Sequence, residues 1–383
     1  MSGPKGYGVQ LSPAVRRAQE ESRLRVQCLA QVGRAEDART AAADLGHPLP
    51  AFHAPRVESM TLEALQQLEQ QLTITVSSAE SALEEARRAA ARNQLAPIRA
   101  ALTGITADVP AVSRVGKGGA ATMSDRAVEL RASLSRCLDR ATELDRTHWD
   151  WIEAESSRVI ASLDSGDIAS ASRLLLALQS STQQAADAAR RAANIKSRAR
   201  DITVSLADLV GAEADGVRCR LAACTSETDL TALQAEAAQV RANAERERDR
   251  SYVIAQTRAA LRELGYELGP NFDTLAASGD AVIARRPDLP DHGVQVRFAT
   301  GASRVLTRVI ALADSSAERD IEIEEITCHD LGELQVIWQR HGVHSSLYHH
   351  LAPGERPVEH LTTQASGHIS TESREHTQQM GPE

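Results

Sequence analysis

Aromatic residues are scarce in this chain, and their placement divides it. Only Trp149 and Trp151 occur between Phe52 and Tyr252, and aromatic residues make up 3% of the whole chain. A compact globular core is normally filled with rings and branched aliphatic side chains, so we do not expect one in this stretch. Alanine, leucine, arginine, glutamate and serine dominate it, which is a composition typical of long helices packed side by side.

Cysteine and long apolar segments are also limited. The five cysteines are odd in number and scattered, which indicates apolar fillers in a reducing compartment and argues against a disulfide framework. The opening MSGPKGYGVQLSP contains no apolar run of the kind found in signal peptides. The chain contains no stretch of about 18 apolar residues, so the sequence predicts no transmembrane helix. We therefore expect a cytoplasmic protein that does not enter a membrane.

Positive charge comes almost entirely from arginine, because lysine occurs only at positions 5, 117 and 196. This usage is typical of a bacterial genome rich in GC. The net charge of −9 disfavours a dedicated nucleic-acid binder but allows a local basic patch. The opening MSGPKGY, followed by a helix with basic residues, resembles the start of bacterial coiled-coil proteins of unknown activity that begin MSGPK. The resemblance implies a helix-rich bacterial protein and no particular activity.

The first two thirds of the chain show the three-and-four spacing of helices that pack along one seam. One helix is expected from Pro13 to about Leu45, and another begins near Thr61. A further helix is capped at Ser124 and carries an apolar seam to about Leu163. The tight turn at 165–167 makes its partner, from Ile168 to about Val210, antiparallel. The seam of the third helix consists of Leu130, Leu134, Cys137, Ala141, Leu144, His148 and Trp151.

The texture changes near Gly265, where aromatic residues return. Alternating segments at 280–286, 293–300 and 303–312 predict antiparallel strands separated by Pro, Asp and Gly turns. A helix is expected at 317–341, and the extended segment 343–351 is expected to add a fourth strand.

These patterns predict a mainly α protein. Long antiparallel helical hairpins, packed as a coiled coil, are followed by a small C-terminal α+β module with a three- or four-stranded antiparallel sheet. The expected organisation is a flexible arm at 1–12, N-terminal helices at 13–107, a flexible loop at 108–124, the long antiparallel helical hairpin region at 125–249, the α+β module at 250–352 and a disordered tail at 353–383.

The motifs that suggest chemistry are weak. The GKGG sequence at 116–119 lacks the residue order and the preceding strand of a phosphate-binding loop. Cys328 and His329, with His341 and His344, resemble a metal set only in composition, because neighbours on a helix point about 100° apart. No nucleophile-elbow motif occurs. We therefore predict no catalytic residue, no cofactor and no metal, hence no enzyme.

The candidate partner-binding residues are of two kinds. Two tryptophans interrupt the aromatic gap, where a helix junction or a docked partner is expected. A basic cluster lies near the middle of the chain, and one lysine lies in the Gly-rich loop. These residues are Trp149, Trp151, Arg190, Arg191, Lys196, Arg198, Arg200 and Lys117.

The sequence therefore favours a non-enzymatic cytoplasmic scaffold or adaptor that works through protein–protein contacts of its helices and its C-terminal module. Expected partners are proteins, including an NTPase or enzyme encoded nearby, and self-association along the helices is a further expectation. One alternative is a nucleic-acid-associated accessory factor that uses the basic stretch at 190–200. The other is a metal-dependent activity in the C-terminal module.

Overall fold

The computed structural model describes residues 5–104, 123–144, 146–299 and 304–361. The chain forms two compact units, which are described separately below. Arg17–Ala244 forms a helical unit, and Met1–Arg16 together with Glu245–Glu383 forms a unit built on a sheet. Lys117 and most of the predicted loop at 108–124 lie outside the described residues.

Helices dominate the structure, as the sequence predicts. Within the described residues, none of the helices combines the length and the apolar character that crossing a membrane requires. Thr61 caps the second helix by accepting a hydrogen bond from the Ala64 backbone nitrogen at 3.4 Å. The helices are α1 (Pro13–Asp44), α2 (Leu62–Gln94), α3 (Ala96–Gly104), α4 (Met123–Ala141), α5 (Trp149–Asp164), α6 (Ile168–Ser205), α7 (Ala212–Ala223) and α8 (Glu227–Glu263).

The turn between α5 and α6 forms where the sequence predicts it. Gly166 adopts a φ of +79°, which favours glycine. The Asp167 carboxylate then accepts a hydrogen bond from the Ser170 backbone nitrogen at 3.0 Å and caps α6. Helix α6 packs against both α4 and α5. Their shared core is aliphatic and includes Leu134, Leu138, Ile152, Val159, Leu175 and Leu178.

The predicted continuous helix from Ser124 to Leu163 is wrong. Helix α4 ends at Ala141, and a short 3₁₀ turn at Arg146–His148 precedes α5. The break brings Leu144 and Trp149 into the same core. In an unbroken helix these two residues would lie about 140° apart, because each residue advances the helix by about 100°. Burying both side chains therefore favours the break.

The second unit contains a sheet of seven strands, where the sequence predicts three or four. Along the sheet the order is β2-β3-β4-β5-β1-β6, with antiparallel neighbours, and β7 pairs with β5 in parallel. Its elements are β1 (Lys5–Leu11), β2 (Glu267–Leu268), α9 (Phe272–Ser278), β3 (Ala281–Arg286), β4 (Leu289–Phe298), β5 (Arg304–Ala311), α10 (Ala317–Arg340), β6 (Val343–His349) and β7 (Glu359–His360).

The flexible arm predicted at 1–12 is wrong for its described part. Residues 5–11 form β1 between β5 and β6, so partners on both sides satisfy its backbone groups. Tyr7, Val9 and Leu11 alternate into the core. The glycines at 6 and 8 hide this alternation in the sequence, because they suggest a turn or linker.

The disordered tail predicted from 353 is also wrong at its start. Glu359 pairs with Ile310 in β7, and Val358 is buried against Val309 and Ile323. A single buried valine and a two-residue strand lie in a polar context, which gives little sequence signal. Residues 362–383 lie outside the described part of the chain.

Candidate functional site

A large cleft of the helical unit lies among α1, α2, α6 and α7. Its volume is about 830 Å³, within the range of protein sites that hold ligands or partner side chains. Small residues line much of it, so another backbone could approach its walls closely. They are Ala30, Gly33, Ala38, Ala41, Ala199, Ala207 and Ala222.

An ion-pair clamp joins three of the four helices that form the cleft. Arg34 of α1 binds Glu80 of α2 through two hydrogen bonds, of 2.8 and 3.0 Å, and binds Asp201 of α6 at 2.5 Å. Arg200 of α6 reaches Glu80 at 3.3 Å. Paired, bidentate arginine contacts of this kind fix geometry as well as adding energy.

The clamp keeps Arg34 charged although its side chain is only 14% exposed. Burial alone would lower the pKa of Arg34, but hydrogen bonds to Glu80 and Asp201 raise that pKa above its ordinary value. Arg218 is also structural, because it donates to the Leu206 and Leu209 carbonyl oxygens at 2.8 and 3.1 Å. Most of the positive charge at the cleft therefore has a partner.

Two exposed charges at the cleft differ from the rest. Lys196 of α6 and Asp37 of α1 line the cleft and are exposed. Neither belongs to an ion pair with any residue that the structure describes. The cleft thus combines a lining of small side chains with one unpaired, exposed cation and one unpaired, exposed anion among the described residues, beside Arg87 and Arg200, which are exposed but paired.

Most members of the predicted basic cluster pair with acidic residues in the structure. Arg190 contacts Glu143 at 3.5 Å and Asp187 at 3.2 Å, and Arg198 pairs with Glu227. Arg200 belongs to the clamp. Only Arg191 and Lys196 lack an acidic partner within the described ranges, so the 190–200 stretch is not a free basic surface.

The two tryptophans have opposite environments. Trp149 is buried among the residues shared by α4, α5 and α6, and its indole nitrogen donates to the Leu144 carbonyl at 3.1 Å. Trp151 is 38% exposed. The seam predicted through His148 and Trp151 is therefore wrong, because the break before α5 turns Trp149 inward and leaves His148 exposed.

The second unit contains a polar cluster of a histidine, an aspartate and a serine. These are the residue types of a hydrolase triad, but their hydrogen bonds run in a different order. His292 Nε2 lies 2.8 Å from Asp320 Oδ1. The Ser315 hydroxyl donates to that same carboxylate oxygen, so Ser315 is not paired with an imidazole base as nucleophilic catalysis requires. Across the described ranges, no group of three or more His, Cys, Asp or Glu residues could hold a metal ion.

Sequence reasoning missed the clamp. A signal existed, since Arg34 lies between Val32 and Ala35, two buried positions of α1, and places a charge beside that apolar seam. Its partners could not be found, because Glu80 and Asp201 come from distant helices. The comparisons add no further residue: no protein-family model, curated protein or solved structure matches this chain.

Proposed function

We propose that this protein is a non-catalytic adaptor that acts by protein–protein contact, and that its cleft receives an amphipathic helix of a partner. One observation supports the proposal most directly. The cleft of about 830 Å³ is lined by small side chains on four helices, three of which an ion-pair clamp holds together.

A helix suits this cleft better than an extended segment. The walls are helices whose own hydrogen bonds are satisfied, so they offer no strand edge for backbone pairing. Alanine and glycine at the walls allow another helix to approach closely and to bury its apolar residues at positions i, i+3, i+4 and i+7. A rigid pocket also lowers the entropic cost of binding, because little ordering is required.

The exposed charges of the cleft indicate which charged residues a partner helix should carry. Lys196 is the exposed cation of the cleft that has no acidic partner among the described residues, so a carboxylate on the partner helix would pair with it. Asp37 offers the complementary site for a basic residue. Such rim charges contribute to association rate and specificity more than to affinity. The long helical hairpins and coiled-coil packing expected from the sequence fit the same adaptor role.

The proposal can be tested with peptides displayed on phage, in which an apolar helical pattern is fixed and the other positions vary. We expect selection on the full chain to enrich helices that lose binding to Ala41→Trp, because the new ring fills the cleft. Thr40→Trp is the matched control, since Thr40 is the exposed neighbour on α1 and does not line the cleft.

Lys196→Glu should change the selected charge pattern from acidic to basic. Enriched peptides that bind Ala41→Trp and Thr40→Trp equally would show that the cleft is not the receptor. A small molecule retained in native mass spectrometry and displaced by Ala41→Trp would replace the peptide proposal with a metabolite site. Circular dichroism of both tryptophan variants controls for folding.

A further inference from the structure

The two faces of the seven-stranded sheet differ in character. On one face, Val305 of β5 and Val296 of β4 pack with Leu334 and Trp338 of α10. Side chains alternate between the faces of a strand, so Arg304 and Arg308 of β5 point to the other face. We call this second surface the open face. Its polar residues include Arg285, Arg297, Arg304, Arg308, Gln295 and Tyr348, together with the acidic Glu267, which lies opposite Arg285 in the register.

The register places the open-face arginines on three adjacent strands. Arg285 of β3 lies opposite Gly293 of β4, and Arg297 of β4 lies opposite Leu306 of β5. On β5, Arg308 lies opposite Gln295 and Arg304 lies opposite Gly8. Alternate residues on a strand are about 7 Å apart, and neighbouring strands are about 4.8 Å apart. The guanidinium groups are therefore spread over the face and do not converge on one point.

Three of these arginines lack a carboxylate partner among the described residues. Arg285 lies opposite Glu267 but forms no ion pair within the described ranges, and Arg297 donates to the Gly279 carbonyl at 3.2 Å. Arg304 lies over the Tyr348 ring, with its guanidinium carbon 5.3 Å from the ring centroid. Arg308 alone is neutralised, by Glu359. Arg285, Arg297 and Arg304 are exposed and outnumber the single carboxylate of Glu267, so the open face is locally basic although the protein is acidic.

An aromatic ring lies within this basic surface. Tyr348 on β6 is 50% exposed. A Cβ at Gly6 would overlap its ring, so glycine at this position lets the ring lie against the backbone of β1. Arg304 covers one face of the ring and β1 lies against the ring, so the ring holds the guanidinium in place and the outer face of Arg304 provides the flat stacking surface for a nucleobase.

We infer that the open face binds single-stranded nucleic acid. A single phosphate or carboxylate would need converging donors, whereas a chain of phosphates matches arginines that are spread over several strands. A flat sheet face does not enter the major groove of a duplex as a helix does, but unpaired bases can stack on its aromatic and guanidinium groups. An acidic peptide offers charge without bases and leaves the stacking surface of Arg304 unused.

The test measures fluorescence anisotropy of a labelled oligouridylate of about 20 nucleotides, longer than the roughly 4–16 that one single-strand-binding domain covers. With the full chain we expect binding that weakens with salt at a logarithmic slope of about −2, for three phosphate contacts on a single strand. Replacing Arg285, Arg297 and Arg304 together by serine should weaken binding at least about tenfold at low salt.

The matched control replaces Arg190, Arg191 and Arg198 by serine, which removes the same charge from the helical unit. It should bind within about twofold of the original, since non-contacting charges act only through screened long-range attraction. Tyr348→Ala should weaken binding about fivefold or more, and Tyr348→Phe should restore it, because the ring face and not the hydroxyl holds the Arg304 guanidinium in its stacking position.

Three results would overturn the inference. One is no anisotropy change with up to about 100 µM protein at low salt, a concentration that detects even non-specific binding. Another is an equal loss in the control triple variant, which would assign binding to overall charge. The last is competition by polyglutamate that is as strong as competition by unlabelled oligonucleotide and that Tyr348→Ala does not change. That result would indicate an acidic peptide ligand.

Discussion

Tyr7 and Trp338 meet edge to face, with ring centroids 5.6 Å apart and planes at 89°. The contact joins the N-terminal strand β1 to helix α10 near the other end of the chain. Both rings are almost completely buried, and burial raises the pKa of Tyr7 to about 12. The segment that reads as a flexible arm is therefore part of the core of the sheet unit.

Tyr7→Ala should destabilise the sheet unit by about 3–5 kcal/mol, the usual cost of removing a buried ring. Urea unfolding would be followed by fluorescence in a protein that keeps Trp338 as its single tryptophan. Gln10→Ala on the same strand is the control, because Gln10 is exposed and should change the unfolding free energy by less than about 0.5 kcal/mol. Equal effects of the two substitutions would contradict the buried position of Tyr7.

Glu80→Gln should lower the stability of the helical unit by roughly 1–3 kcal/mol, because it leaves the largely buried Arg34 without its bidentate partner. Glu84→Gln is the matched control on α2. Glu84 pairs with Arg87, and both side chains are about half exposed, so its loss should cost less than about 1 kcal/mol. Thermal unfolding monitored by circular dichroism gives the comparison, and an equal loss would show that the clamp adds no stability.

Protonation of Asp320 should lower the free energy of unfolding of the sheet unit in acid. Burial alone would raise the pKa of Asp320, but hydrogen bonds from Ser315 and His292 lower it below the ordinary value. A lowered folded-state pKa contributes stability that is present above the unfolded-state pKa of about 3.9 and is lost as pH falls through the folded value.

Asp320→Asn removes this titration, so its unfolding free energy should depend less on pH between about 5 and 2 than that of the original chain. The difference should be roughly 1–3 kcal/mol at neutral pH, the usual worth of hydrogen bonds to a charged group. Urea denaturation at several pH values provides the measurement. Parallel curves for the two proteins would show that Asp320 is not responsible for the acid sensitivity.

The cysteines should differ in reactivity towards a disulfide reagent at pH 8. Cys219 is exposed and should react first, whereas Cys28, Cys137 and Cys224 are buried and should react only on unfolding. Burial, with a smaller effect from Glu69, raises the pKa of Cys28 to about 11, which suppresses its reactive thiolate. Cys219→Ser should abolish the fast phase, and Cys28→Ser should leave it intact.

Local patterns predicted the long helices well, because capping and spacing are properties of neighbouring residues. Pro13, Thr61 and Asp167 mark helix starts that the structure confirms to within one residue. The break before Trp149 was not predicted, since an unbroken three-and-four pattern also fits that segment. The break depends on which of two tryptophans reaches a core formed with α6.

The binding surfaces were predicted less well than the elements. Lys196 and Arg200 were chosen for their positive charge, and both lie at the cleft. The charge of the basic stretch gave no indication that Glu143, Glu227 and Glu80 would neutralise most of it. The arginines of the open face lie on strands that the sequence identifies, but their common face depends on strand order and register.

By itself the sequence determined the helical composition, the main helix boundaries and the change to strands after Gly265, because periodicity and capping act over a few residues. Only the tertiary structure decided that residues 5–11 complete the sheet, that Arg34 finds Glu80 and Asp201, and that the aromatic gap conceals one buried and one exposed tryptophan. These outcomes depend on contacts between residues far apart in the chain, whose free energy is gained only when the distant elements pack together.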